Sequence, residues 1–224
     1  MFGAVEEERP DEVWCLGDLV GYGPRPNPCC EAVAARADLC LVGNHDLGVL
    51  GDLDLLDFAP DAVESARWTR GVLTAEARSF LKSLEPTATR EGVELFHASP
   101  RDPVWEYVLT VEAAASAFEL TEAPLVLVGH SHIPLALALE GRKLDGGHAP
   151  GGTEAQLDGE RRLFNPGSVG QPRDGDPRAA WLLLDFASGR ASFRRVAYPV
   201  ERTQAEIRER GLPPPLAERL AHGI

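Results

Sequence analysis

Two histidines, His130 and His132, stand two residues apart directly after the apolar run Leu125–Val128 and Gly129. Three other short apolar runs end in residues that can hold a metal or move a proton. Asp18 follows Val13–Leu16, Asn44-His45-Asp46 follows Leu39–Val42, and His97 follows Val93–Phe96. Imidazole, carboxylate and amide oxygen are borderline-to-hard ligands suited to Mn, Fe, Zn, Ni or Co. A carboxylate such as Asp18 can bridge two cations. Two cations about 3.5–4 Å apart can hold a bridging hydroxide and clamp a phosphoryl group for in-line attack. On a turn after a strand, His130 and His132 can face one pocket. Each residue alone has a plainer reading: a histidine after a strand is commonly structural, and Gly17-Asp18 or Asn44 is commonly a turn. The joint pattern carries the weight. Four of the six histidines fall at these strand ends, and the three asparagines, Asn27, Asn44 and Asn165, each sit in a glycine- or proline-framed turn. His148 and His222 read as surface residues, and Arg162 and Arg195 as solvated or paired with the acidic surface.

The elements that must position these groups follow from pattern. Residues 1–12 read as the end of a helix that has no N-cap and is stopped by Pro10. Asn27 with Pro28 reads as the start of a helix to about Ala37. Helices are expected at Asp61–Arg70, at Ala75–Leu84 capped by Thr74, and after Thr110 to about Phe118. Strands are expected at Val13–Leu16, Leu39–Val42, Val93–Phe96 and Leu125–Val128. Gly146–Gly152 reads as a glycine-rich turn region and Ala155–Phe164 as strand. Trp181–Asp185 and Ser192–Ala197 read as an antiparallel pair, Gln204–Arg210 as a polar helix, and Pro213–Pro215 as a breaker. Strands alternating with helices early, and pairing with each other late, give an α/β sandwich with a mixed sheet. In open α/β sheets ligands bind outside the carboxyl ends of the strands. Residues 1–224 read as a single domain, with 47–85 as a small helical cap over the pocket.

The chain has 224 residues and a net charge of −13. That length supports one large domain, and the acidic excess argues against sequence-independent binding to nucleic acid. It leaves room for a small phosphorylated substrate, because bound cations reverse the local field. No apolar run approaches a membrane span, and Glu6-Glu7-Glu8 stands where an export signal would need a basic start. Of the cysteines, Cys15 and Cys40 read as buried thiols in apolar runs, while Cys29 and Cys30 lack zinc-site spacing. Reduced thiols and a cytoplasmic location are expected. The expected partner is a small phosphorylated substrate, with no nucleic-acid duplex and no membrane; self-association is left open.

Leu16-Gly17-Asp18 with Gly21-Tyr22-Gly23, then Gly43-Asn44-His45-Asp46, His97, and Gly129-His130-Ser131-His132 together resemble the calcineurin-like metallophosphoesterase superfamily. The resemblance covers nearly the whole chain. It is closest to the small bacterial members described as phosphodiesterases or as diadenosine-tetraphosphatase-like, and Asn165–Arg173 shares that likeness. It implies a four-layer α/β/β/α sandwich with two mixed sheets. It also implies metal-dependent hydrolysis of a phosphomonoester or phosphodiester, through a metal-bridging hydroxide, on a nucleotide-like substrate. Two divalent cations are implied, with manganese the expected occupant. By position, Asp18 would bridge both; Asn44, His97 and His130 would complete one site, and His132 would belong to the other. His45 would act beside the substrate, with Asp46 orienting its ring. Apart from the resemblance, Arg101 and Arg173 read equally as phosphate or nucleotide contacts and as members of surface ion pairs. The family opens with a strand and an Asp-x-His motif, and no such motif precedes Asp18. One explanation is that the pair and a first central strand lie upstream of Met1; another is a shortened member with one site degraded and activity impaired. A non-catalytic protein-binding scaffold of the same fold is the rival reading.

Overall fold

The computed structural model describes residues 1–159 and 161–224. In chain order it has α1 (Phe2–Glu8), β1 (Trp14–Cys15), α2 (Pro26–Ala34), β2 (Leu39–Cys40), α3 (Asn44–Leu50), α4 (Pro60–Val72) and α5 (Ala75–Lys82). Next come β3 (Thr87–Arg90), β4 (Val93–Phe96), α6 (Val111–Leu120), β5 (Leu125–Val128), β6 (Leu135–Glu140), β7 (Lys143–His148), β8 (Glu154–Gln156) and β9 (Arg161–Asn165). The chain ends with β10 (Ala179–Asp185), β11 (Arg190–Val196), α7 (Val200–Glu209) and α8 (Pro214–Glu218).

Alternation along β5 shows how the layers form. Leu125 and Leu127 join a buried cluster with Leu95, Phe164, Phe193 and Leu41, whereas Val126 and Val128 join Ala117, Phe118 and Leu163. Successive side chains point to opposite faces of a strand, so this all-apolar strand is covered on both sides. It lies in a six-stranded mixed sheet of order β3-β4-β5-β9-β6-β7, in which β4, β5 and β9 run parallel. Helix α6 covers one face. The other face packs on two separate pieces, the parallel pair β1-β2 and the antiparallel β10-β11-β8. The fold is therefore a mixed α/β sandwich, with one mixed sheet and two smaller sheets where two mixed sheets were expected. Helices α2 to α5 bury Cys30, Val49, Ala66, Ala77 and Leu81 in a third cluster.

Several local expectations need correction. Asn27 is not a cap: α2 begins at Pro26. Its amide instead donates to the Val72 carbonyl at 2.9 Å and accepts from the Thr74 N–H at 2.9 Å, tying α2 to the α4–α5 junction. Asn27→Ala should lower stability by about 1–2 kcal/mol, read from a urea midpoint; an unchanged midpoint would show that the tie contributes nothing. Gly146 and Gly147 lie within β7 rather than in a turn, opposite Leu137 and Ala136. Gly146 adopts φ 110°, and a side chain there would collide with the Ala136 carbonyl, so close strand approach explains the glycine. Ala155–Phe164 divides into β8 and β9, which belong to different sheets. The prolines at 213–215 open α8 instead of ending structure, since proline suits a first helical turn. Arg195 takes the paired alternative, but inside the fold and not at the surface: its side chain is 3% exposed and pairs with the equally buried Asp174. His148 ends β7 and bonds Asp174 at 3.1 Å. Thr74 and Thr110 do cap α5 and α6.

Candidate metal centre

The carboxyl ends of β1, β2, β4 and β5 deliver Asp18, Asn44, His97 and His130 to one place. Ligand atoms of Asp18, His97 and His130 all lie within 4.8 Å of one another. Asp18, His130 and His132 hold the left-handed backbone region, at φ 56°, 58° and 61°. That region is strained for residues with a side chain, and such strain collects at functional sites. Asp18 is fixed from the second turn, where its Oδ1 accepts the His45 N–H at 2.9 Å.

Backbone carbonyls set the tautomers. The His97 Nδ1–H donates to the Leu16 carbonyl at 2.7 Å. Its Nε2 therefore presents a lone pair, 3.3 Å from Asn44 Oδ1 and 3.6 Å from Asp18 Oδ2. The His130 Nε2–H donates to the Trp105 carbonyl at 3.1 Å, leaving its buried Nδ1 without a partner. Asp18 Oδ2 is likewise buried and unpartnered. Four acceptor atoms thus converge, and two of them, Asp18 Oδ2 and His130 Nδ1, have no partner in a setting where buried polar groups are normally satisfied. The donor set is one a divalent cation fits. His132 stands outside that trio; its Nδ1–H donates to the Gln171 carbonyl at 2.8 Å. Asn165 supports the turn, donating to the Gly129 carbonyl at 2.6 Å and to Ser131 Oγ at 3.0 Å.

His45 is buried beside this group. Its ring lies 4.1 Å from that of Tyr22 and 5.0 Å from that of Phe58, and its Nδ1 has no partner. Asp46 does not turn toward that ring as expected. It sits in the first turn of α3, so its carboxylate folds back to accept the Gly43 N–H, and also the Val20 N–H, each at 3.0 Å. Aromatic contacts continue through Phe58, Trp105 and His130 to Tyr107, which stacks on His130 at 4.1 Å and is 45% exposed. Arg173 reaches the Tyr22 hydroxyl at 3.2 Å and Gln171 Oε1 at 2.9 Å. Arg101 is drawn into an exposed ion pair with Glu106. No local pattern marks the carbonyls of Leu16, Trp105 and Gln171 as ring anchors. Phe58 and Tyr22 were visible only as parts of loops near the motifs.

Burial sets the protonation of the site. It drives His45 and His130 down to about 4 and His132 to about 3, against a partial counterpull from Asp18. Burial also opposes ionisation of Asp18, but the surrounding His97, His45, His132 and His130 hold its carboxyl below the ordinary value. Asp46 is pushed up by burial and by Asp18, against its two backbone donors. The three depressed imidazoles make a pH prediction for metal-free protein. Below the unfolded value of about 6.5 the unfolded chain takes up protons that the fold refuses. Stability is then greatest above pH 6.5 and falls as pH drops toward 4, by up to roughly 3 kcal/mol per histidine. Urea unfolding in EDTA at pH 7.5 and pH 5 should show it, and equal midpoints would contradict it.

A sandwich with a histidine- and carboxylate-lined site at its strand ends defines a class, and the comparisons agree with it. Residues 2–189 match the calcineurin-like phosphoesterase superfamily domain, and the chain belongs to that family. The family implies metal-dependent hydrolysis of phosphoesters. The crystal structure of a metallophosphoesterase from Sphaerobacter thermophilus superposes with a TM-score of 0.88 at 40% identity, covering 100% of this chain and 93% of that one. The uncharacterized protein MJ0912 of Methanocaldococcus jannaschii is 37% identical over 221 residues, 95% of this chain and 86% of its own length. Hypothetical protein PH1004 from Pyrococcus horikoshii OT3 shares the fold, with a TM-score of 0.80 at 20% identity over 100% of this chain and 91% of that one.

Proposed function

We propose that this chain is a binuclear phosphoesterase acting on a small nucleotide-like phosphomonoester or phosphodiester, of the diadenosine-tetraphosphatase-like kind, with manganese the favoured cation. The observation that carries this reading is the convergence of acceptor atoms from Asp18, His97, His130 and Asn44, of which Asp18 Oδ2 and His130 Nδ1 are buried without a partner. Asp18 would be shared by the two cations; Asn44, His97 and His130 would hold one of them, and His132 would serve the other. When bound, the cations supply a water of lowered pKa and neutralise phosphoryl charge. His45 is neutral at pH 7 and, in the aromatic mouth, hydrogen-bonds the phosphoryl or leaving oxygen. Arg173 holds a phosphate oxygen beside Tyr22, and Arg101 is the weaker candidate because Glu106 already engages it. The aromatic arc, ending on the exposed Tyr107, favours an aromatic substituent on the ester. The 47–85 segment caps the mouth through Phe58. The presence of ligand-type residues after β1, β2, β4 and β5 argues against a scaffold role.

Among the described residues the second site draws on Asp18 and His132 alone, so one well-occupied manganese per chain and weak activity are expected. Hydrolysis of bis-p-nitrophenyl phosphate should appear with manganese and vanish with EDTA, with elemental analysis giving the stoichiometry. Manganese-loaded protein with no turnover of mono- or diesters would sink the proposal.

A further inference from the structure

Two thiols outside the cation group lie where chemistry on them would be felt inside it. Cys15 and Cys40 are register partners across the parallel pair β1-β2. Neighbouring strands run about 4.7–4.9 Å apart, inside the 4.4–6.8 Å Cα range of disulfides. Partner residues on parallel strands point to the same face, which sets the two thiols side by side, and the Cys40 S–H donates to the Leu41 carbonyl at 3.4 Å. Both residues are half-buried, and all four cysteines of the chain are free. Each begins a run into the cation group: Cys15 is three residues before Asp18, and Cys40 four before Asn44.

We propose that Cys15 and Cys40 form a reversible disulfide on exposure to hydrogen peroxide, and that this bond loosens the cation site by shifting the strand ends that present Asp18 and Asn44. The second half rests on the cation reading above. The Cys15 sulfur attacks one peroxide oxygen; the O–O bond breaks, the other oxygen leaves as water with the thiol proton, and Cys15 becomes a sulfenic acid. The Cys40 sulfur then attacks the Cys15 sulfur. The S–S bond forms, the S–O bond breaks, and the hydroxyl leaves as water with the Cys40 proton. Two thiols lose two electrons, and one peroxide becomes two waters. Thiol–disulfide exchange with an added dithiol reopens the bond and restores both thiols.

The test uses the whole protein with hydrogen peroxide, then dithiothreitol. Thiol titration in denaturant should fall from four to two, and peptide mapping should find Cys15 joined to Cys40. Manganese affinity, read by calorimetry, should drop about tenfold and recover on reduction. Cys15→Ser and Cys40→Ser should each keep their affinity through peroxide, whereas Cys29→Ser should behave as wild type. A crosslink between other cysteines, or none, overturns the assignment; a Cys15–Cys40 crosslink with unchanged manganese affinity overturns the coupling. Reduced protein that binds no manganese at all would instead count against the cation reading, and against the coupling with it, while the thiol count and the peptide map still decide the modification.

Discussion

Gly43→Ala should disable the cation site and destabilise the fold by about 3 kcal/mol or more. The methyl group would sit 2.6 Å from the Asp18 amide nitrogen and from its Cγ, and nearer still to Oδ1. Gly43 has φ −105°, which any residue accepts, so the whole effect comes from the collision. Overpacking typically costs 1–3 kcal/mol when side chains can yield; here the obstacle includes backbone, and the turn carrying Asp18 must move. Gly43 also donates its N–H to Asp46, so displacing it disturbs both turns. Loss of ligand orientation should weaken manganese by at least about 100-fold. Gly23→Ala is the control, because nothing lies within 4 Å of a methyl group there. Equal melting points and manganese affinities for the two variants would refute the steric account.

Asp18→Asn should separate stability from binding. The two side chains are nearly isosteric, and the remaining oxygen can still accept the His45 N–H. The new amide nitrogen would take the place of Oδ2, 3.6 Å from His97 Nε2, giving the converging lone pairs their missing donor. At pH 7 His45, His130 and His132 are neutral, so these three no longer offset the burial of the carboxylate charge. Metal-free Asp18→Asn should therefore be more stable than wild type by about 1–3 kcal/mol. Manganese binding should fall on the order of 10³-fold, since one charge at about 4 Å is worth about 4 kcal/mol at a near-surface dielectric. Thermal melts in EDTA and manganese titration measure the two effects. An EDTA-treated variant less stable than wild type would show that the lone pairs are not in conflict.

How far the sequence was legible differs by kind of information. β4 and β5 were read to the residue, because short apolar runs between turn signals have few alternatives, and Thr74 and Thr110 behave as threonine caps do. Gly146, Asn27 and Pro213–Pro215 were misread for one reason. A residue that permits a turn also permits a close strand approach, a helix-to-loop tie or a helix start, and only the tertiary neighbours choose. The groups that converge were visible because few residue types serve as ligands and they clustered at strand ends. The direction of Asp46 was not visible, since it depends on α3 starting at Asn44. The carbonyls of Leu16, Trp105 and Gln171 leave no trace, as every residue carries one. The pairing of Cys15 with Cys40 needs the register of two strands, which no local pattern contains.

The left-handed backbone at Asp18, His130 and His132 bears on how such a chain would change over generations. Glycine tolerates this conformation better than histidine or aspartate. Replacing any of the three in that direction relaxes the backbone while removing a proposed ligand. In a lineage freed from the need for hydrolysis, those losses would be downhill for the fold and would accumulate early. The way back would oppose stability at each step, so descendants that had dropped the chemistry should keep the sandwich and seldom regain the site.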